Sequence, residues 1–257
     1  MFGNFAEISR RESFLLLVAS ALPAFAKIGS VEIGVCASID KFPKATAFDF
    51  DYFEPAVAAI AVLSDQAFAD FRQQVLSSPL RCTSCNSFIR TLNVVGPNVD
   101  ADALKAYMRS ALDRCRQLGT QIVVWGSASS RNVPPGYSSD KAWEQMKVFL
   151  SYAGDIARSR NVVVAIEPLR RAESNIVNTG AEALRLVEEV NHPNVKMIID
   201  YYHLRSENEN SDILLNAAGQ IAPSLCKRRQ APECREPRRP SRAFQSFFRS
   251  KLGAAQP

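Results

Sequence analysis

The sequence predicts an α/β protein of the (β/α)8 barrel class, incomplete, with about six βα units and strands seven and eight missing or degenerate. Three observations carry this. Short apolar runs alternate six times with segments of helical periodicity, the pattern of parallel α/β proteins. The runs are rich in Val, Ile and Phe and too short for helices, as expected of strands buried on both faces. The 257 residues are close to the roughly 250 that an eight-stranded barrel needs. With 47% hydrophobic and 22% charged residues, the composition is that of a globular chain and excludes a disordered, collagen-like or coiled-coil protein.

Residues 1–26 read as an export signal. Ser9-Arg10-Arg11 leads into an apolar stretch from Phe14 to Leu22, and Ala24-Phe25-Ala26 is a small-residue cleavage site. Arg10-Arg11 has the look of a twin-arginine signal, which predicts an exported or periplasmic protein. The alternative is an amphipathic N-terminal helix of a cytoplasmic one. No apolar run reaches the roughly 20 residues that a helix needs to span a bilayer.

The folded domain is expected over residues 27–221. Its strands are expected at Val31–Cys36, Phe48–Phe53, Ser87–Val95, Gln121–Trp125, Val162–Glu167 and Val195–Asp200. Between the later strands, Leu104, Met108, Ala111, Leu112 and Cys115 recur at three- and four-residue spacing, with Asp100 as N-cap and Gly119 closing the helix. Trp143, Met146, Phe149, Leu150 and Ala153 make a second stripe. Thr179-Gly180-Ala181-Glu182 is a capping box that opens a third helix. Residues 222–257 carry nine Lys/Arg against two glutamates, so a basic Pro/Arg-rich tail supplies the net charge of +5 and the body is mildly acidic. Pro223, Pro232, Pro237 and Pro240 would interrupt a helix or central strand there, and the tail reads as irregular and solvated rather than as a nucleic-acid-binding arm.

Strand five ends in Glu167 and strand six in Asp200, one strand–helix repeat apart. Neighbouring parallel strands lie about 4.8 Å apart, so both carboxylates emerge side by side at the end of the sheet where barrel enzymes hold their active sites. Two adjacent acids repel unless they share a cation or a proton, and a divalent metal satisfies both. Solvated loop acids or helix N-caps are the competing reading. His203 follows Asp200 by three residues, within reach of the same spot, and a surface position is its plainer alternative. The polar segment Trp125–Tyr137, which includes Arg131, leaves strand four on the same side. Glu54 ends strand two and is a further acid for the same pocket.

Taken together, these segments resemble the sugar phosphate isomerase/epimerase family, whose members have xylose isomerase-like TIM barrels and include ketose 3-epimerases and hydroxypyruvate isomerases. The resemblance rests on Glu-Pro-Leu-(x)3-Glu at 167–173, Asn-Thr at 178–179, Asp-x-x-His at 200–203, Gly-Ser-(x)3-Arg-(x)2-Pro-x-Gly at 126–136 and Ile-Gly-Val-Cys-Ala-Ser at 33–38. It implies a divalent cation (Mn, Mg, Co or Zn) with Glu167 and Asp200 as its first two ligands. It also implies substrate contacts from Glu173, His203 and Arg131. Glu167 would double as a carboxylate that moves a proton next to a sugar carbonyl. The implied partner is a small sugar; the sequence assigns no oligomeric state.

The family's third and fourth ligands, a histidine and a glutamate on strands seven and eight, have no counterpart here. No histidine follows His203, and the change of composition after Ile221 resembles a change of reading frame. The expected activity is therefore a metal-dependent isomerase or epimerase working through an enediolate and weakened or lost, with a non-catalytic sugar-binding protein as the alternative. Only two histidines leave too few imidazoles for a multi-zinc nuclease of the same fold. Cys82-x-x-Cys85 has half-site spacing without a second pair and reads as incidental.

Overall fold

Parallel strands follow one another in chain order through the protein, which is described by a computed structural model covering residues 32–48 and 50–227. The fold described lies within the unit that begins at Gly34. The export signal at 1–26 and all but the start of the basic tail lie outside the described residues.

Strands β1 (Gly34–Cys36) and β2 (Tyr52–Glu54) pair with each other. Strands β3 (Ser84–Cys85), β4 (Ile122–Trp125), β5 (Val163–Ile166), β6 (Val195–Asp200) and β7 (Ile221–Lys227) form a five-stranded sheet in that order. Single parallel bridges, Tyr52 to Arg81 and Ala56 to Asn86, join the two sets. Consecutive strands as neighbours, all parallel, is the barrel order that the sequence predicts.

Helices connect the strands: α1 (Phe42–Ala45), α2 (Val57–Ala61), α3 (Asp65–Leu76), α4 (Ala101–Gln117), α5 (Ala128–Arg131), α6 (Ser139–Arg158), α7 (Gly180–Val190), α8 (Tyr201–Ser206) and α9 (Ile213–Asn216). The predicted caps are made. The Asp100 carboxylate accepts from the Asp102 and Ala103 amides at 3.1 and 2.9 Å. Thr179 and Glu182 form the reciprocal box that starts α7. Gly119 takes a φ of +83° just after α4, a backbone angle at which a β-carbon is strained. The apolar stripes of α4 and α6 are buried against the sheet, each large side chain contributing about 1.5–3 kcal/mol.

The sheet sorts its residues by parity. Val123, Trp125, Val164, Ile166, Met197 and Ile199 join the large core with the helices. Ile122, Val124, Ala165, Ile198 and Ala222 form a second, smaller core on the opposite face. Side chains alternate between faces along a strand, so Glu167 continues the Val163–Ala165 row and Asp200 the Ile198 row. Both acids therefore stand on the face of the small core, at the carboxyl ends of adjacent strands.

One strand assignment changes. The apolar run Ser87–Val95 was expected as strand three, yet β3 is Ser84–Cys85. Ser87 adopts a φ of 49°, which no extended strand tolerates. The residues beyond it are buried as a loop, with the Val94 amide donating to the Ser130 carbonyl at 2.7 Å. Apolar content there reflects burial, not extension. At the far edge of the sheet, β7 begins at Ile221, the last residue of the domain expected from the sequence. Its register against β6 jumps, with Met197 opposite Ile221 and Ile199 opposite Cys226. Pro223, which lacks an amide donor, falls inside the jump, where no ladder bond is required of it. No helix among the described residues is long and apolar enough to cross a membrane.

Candidate functional site

Glu167 follows β5 directly, and its amide donates to the Trp125 carbonyl at 3.3 Å. Asp200 closes β6 and caps α8, one carboxylate oxygen accepting from the Tyr202 amide at 2.8 Å. That cap puts His203 on the first turn of α8, facing inward with 1% of its surface exposed. Glu167, Asp200 and His203 are all buried, and each offers a ligand atom within 4.8 Å of the other two. The two carboxylates stand where charge has left water, and a shared cation would compensate this buried charge of one sign; His203 stands beside them.

The histidine is further defined. Its Nδ1 accepts the Arg170 main-chain amide at 3.3 Å, so the neutral ring carries its proton on Nε2. An Nε2–H is a hydrogen-bond donor and not a metal ligand. His203 thus presents a hydrogen-bond donor beside the two carboxylates.

Glu173 and Arg131 sit differently from each other. Glu173 lies in the loop after β5, half-buried, and accepts from Arg170 Nε at 2.8 Å. The Arg170 guanidinium also stacks over the Tyr202 ring at 5.0 Å. Glu173 stands outside the three-residue cluster but beside His203 through Arg170. Arg131, expected to reach substrate, is fully buried. Its Nη1 donates to the Trp125 carbonyl at 3.1 Å and its Nη2 to the Glu167 carbonyl at 2.7 Å. The planar fork matches the two main-chain oxygens at the ends of β4 and β5, which turns the charge inward. Burial pulls this guanidinium down to about 10, with the Glu167 carboxylate opposing the shift, so it stays charged at neutral pH. Glu54 is also buried; it accepts from the Ser84 hydroxyl at 3.0 Å and is not part of the three-residue cluster.

Two contributions were not read from the sequence. A β-carbon placed on Gly126 would lie 1.9 Å from Glu167 Oε2, so the carboxylate occupies space that only glycine leaves open. The loops after β4 and β5 are also laced together. Asn132 accepts from the Ser174 hydroxyl at 2.8 Å, and the Asn175 amide group bonds both main-chain polar groups of Val133 at 2.9 Å. Asn178 ties the second loop to itself through the Leu169 and Ser174 carbonyls. Gly126 belongs to the Gly-Ser motif at 126–127 and Asn178 to the Asn-Thr pair at 178–179, whereas Asn132 and Asn175 carry no pattern of their own.

The profile of the xylose isomerase-like TIM barrel family matches residues 42–227. D-psicose 3-epimerase of Agrobacterium fabrum (strain C58 / ATCC 33970) is 26% identical over 183 residues, which cover 69% of this chain and 63% of that protein. The chain thus spans under two thirds of that relative's length. A crystal structure of D-psicose 3-epimerase in the presence of D-fructose superposes with a TM-score of 0.66 at 21% identity, over 74% of this chain and 71% of the other. The IolI protein with a bound zinc atom gives a TM-score of 0.60 at 18% identity, over 74% of this chain and 70% of the other. With the fold, the strand order and the profile in agreement over more than half its length, the chain belongs to the xylose isomerase-like TIM barrel family.

Proposed function

We propose that this chain carries a metal-dependent isomerase or epimerase site for a sugar or small hydroxy-carbonyl compound, in which a proton moves through an enediolate. The observation that carries this reading is the convergence of Glu167, Asp200 and His203 at the carboxyl ends of β5 and β6. The names of the relatives, 3-epimerases of psicose and ribulose among them, supply the substrate class.

Glu167 and Asp200 would hold the cation. When bound, a divalent ion polarises the substrate's carbonyl and hydroxyl oxygens and makes the adjacent C–H more acidic. Glu167 is the base: its carboxylate is buried, fixed by its neighbours and able to accept that proton, a contribution of about 10²–10⁴ in rate. His203 Nε2–H donates to a substrate oxygen. Glu173, oriented by Arg170, accepts from a substrate hydroxyl. Glu167, Asp200 and His203 are buried, which strengthens their interactions.

A second reading is favoured by one feature. Among the described residues the cation would have two carboxylates, about half of the shell that a hard divalent ion prefers, and a protein that binds a ketose without turning it over fits that supply of ligands.

The experiment is incubation of the full chain with D-fructose and Mn²⁺ in D₂O. The enzymatic reading predicts deuterium at the carbon next to the carbonyl by NMR, and its loss in Glu167→Gln. Thermal stabilisation by the ketose without deuterium favours the binding reading. Neither effect would reject both.

A further inference from the structure

The end of β4 supplies no acid to the site, yet it encloses Glu167 on two sides. Arg131 donates one Nη to the carbonyl of Trp125 and the other to the carbonyl of Glu167 itself, so a single guanidinium clamps the residues that end β4 and begin the loop after β5. Its Nε is buried without a hydrogen-bond acceptor. Its guanidinium lies 5.4 Å from the centre of the Trp125 ring, and that ring packs at 4.8 Å from Phe149 in the core. A buried cation with an unsatisfied donor is an expensive way to join two strands, since apolar side chains of similar size do so at lower cost. The other side of Glu167 is bounded by Gly126, whose missing β-carbon is the space that Oε2 occupies.

We propose that Gly126 and Arg131 together form a mould for the Glu167 carboxylate. Arg131 fixes the main chain from which the side chain leaves, and Gly126 fixes the direction that the side chain takes. Both are positioning residues, acting on a bound cation only through Glu167. The proposal rests on the reading of Glu167 and Asp200 as cation ligands. Groups that orient metal ligands from behind typically contribute 10–100-fold to metal affinity, and that is the size of effect assigned to each.

The test is calorimetric titration of Mn²⁺ into the full chain, with a thermal melt of every sample. Arg131→Lys keeps the charge and removes the two-pronged geometry, so electrostatic attraction for the ion is held constant. Gly126→Ala places a methyl group against Oε2; Gly126 is not among the residues with positive φ, so its backbone accepts alanine. Both variants are expected to bind Mn²⁺ 10–100-fold more weakly than the parent. A mere staple between β4 and β5 would lower the melting temperature of Arg131→Lys and leave the affinity alone. Affinities within twofold of the parent in the two variants overturn the proposal, provided that Glu167→Gln abolishes binding. If the parent does not bind Mn²⁺, or Glu167→Gln binds as the parent does, it is the cation site that fails. Should Arg131→Lys not fold, Gly126→Ala alone decides by the same twofold criterion.

Discussion

Asp200→Asn separates the two things that Asp200 does. The carboxylate caps α8 through the Tyr202 amide, and asparagine caps a helix as well as aspartate. The substitution thus keeps the local structure and removes one buried negative charge. At the 4.8 Å bound on the separation of the ligand atoms, two unit charges repel by about 3.5 kcal/mol at an effective dielectric constant of 20, and by under 1 kcal/mol in bulk water. The metal-free Asn variant should therefore be more stable than the parent by about 1–3 kcal/mol, which raises the melting temperature by roughly 2–10 °C for a domain of this size. Asp200→Ala also loses the cap and should melt below Asp200→Asn by the equivalent of about 1 kcal/mol. Addition of Mn²⁺ at 100 times the dissociation constant should stabilise the parent by about 2.7 kcal/mol and neither variant. The assay is scanning calorimetry of the three proteins after exhaustive chelation and again with the ion. A metal-free Asn variant that melts at or below the parent, or equal stabilisation of all three by Mn²⁺, would refute the argument.

Other predictions are more local. Thr179→Ala breaks the capping box of α7 and should cost about 1 kcal/mol, a fall of about 2–4 °C in a thermal melt; no change would show that the box carries no stability. Glu207 holds the loop after β5 through Arg171. The Arg171 main-chain amide is the main cause that lowers its pKa below the ordinary 4.5, with the Arg171 side chain adding to it against partial burial. A depressed carboxylate stabilises the fold above its unfolded pKa and loses that contribution as the pH falls through the folded value. Glu207→Gln should then melt lower than the parent at pH 7, with the gap closing below about pH 4; a gap independent of pH contradicts this. Cys82, Cys85 and Cys115 are buried free thiols, and Cys36 is exposed. Burial, reinforced by Cys85, raises the Cys82 thiol, and a hydrogen bond with Cys85 raises that of Cys115. Maleimide at pH 7 should label Cys36 well before these three, as read by peptide mapping, and early labelling of Cys115 would count against the packing described.

Much of this was legible in the chain because it rests on local rules. Val163–Ile166 and Val195–Asp200 are bounded by strong helical stripes, so their ends, and the acids that stand there, are located by counting. Thr179 and Glu182 declare a helix start by side-chain chemistry alone. What escaped depends on partners distant in sequence. Phe88, Ile89, Val94 and Val95 look like a strand because burial in a loop and burial in a sheet select the same residues; only the backbone angle at Ser87 tells them apart. Arg131 reads as a surface residue or a ligand contact because arginine seldom goes fully inside, and its acceptors belong to Trp125 and Glu167. Gly126 opens a motif in the sequence, but its reason is visible only once the Glu167 carboxylate is seen where its side chain would be.

The central claim is that Glu167 and Asp200 grip one cation between them. Crystals of the full chain soaked in Mn²⁺ and measured at the manganese absorption edge test it without reference to turnover. The account predicts one strong anomalous peak within about 2.0–2.6 Å of a carboxylate oxygen from each residue, absent in Glu167→Gln. A peak elsewhere, or none at these two side chains in the parent, contradicts it.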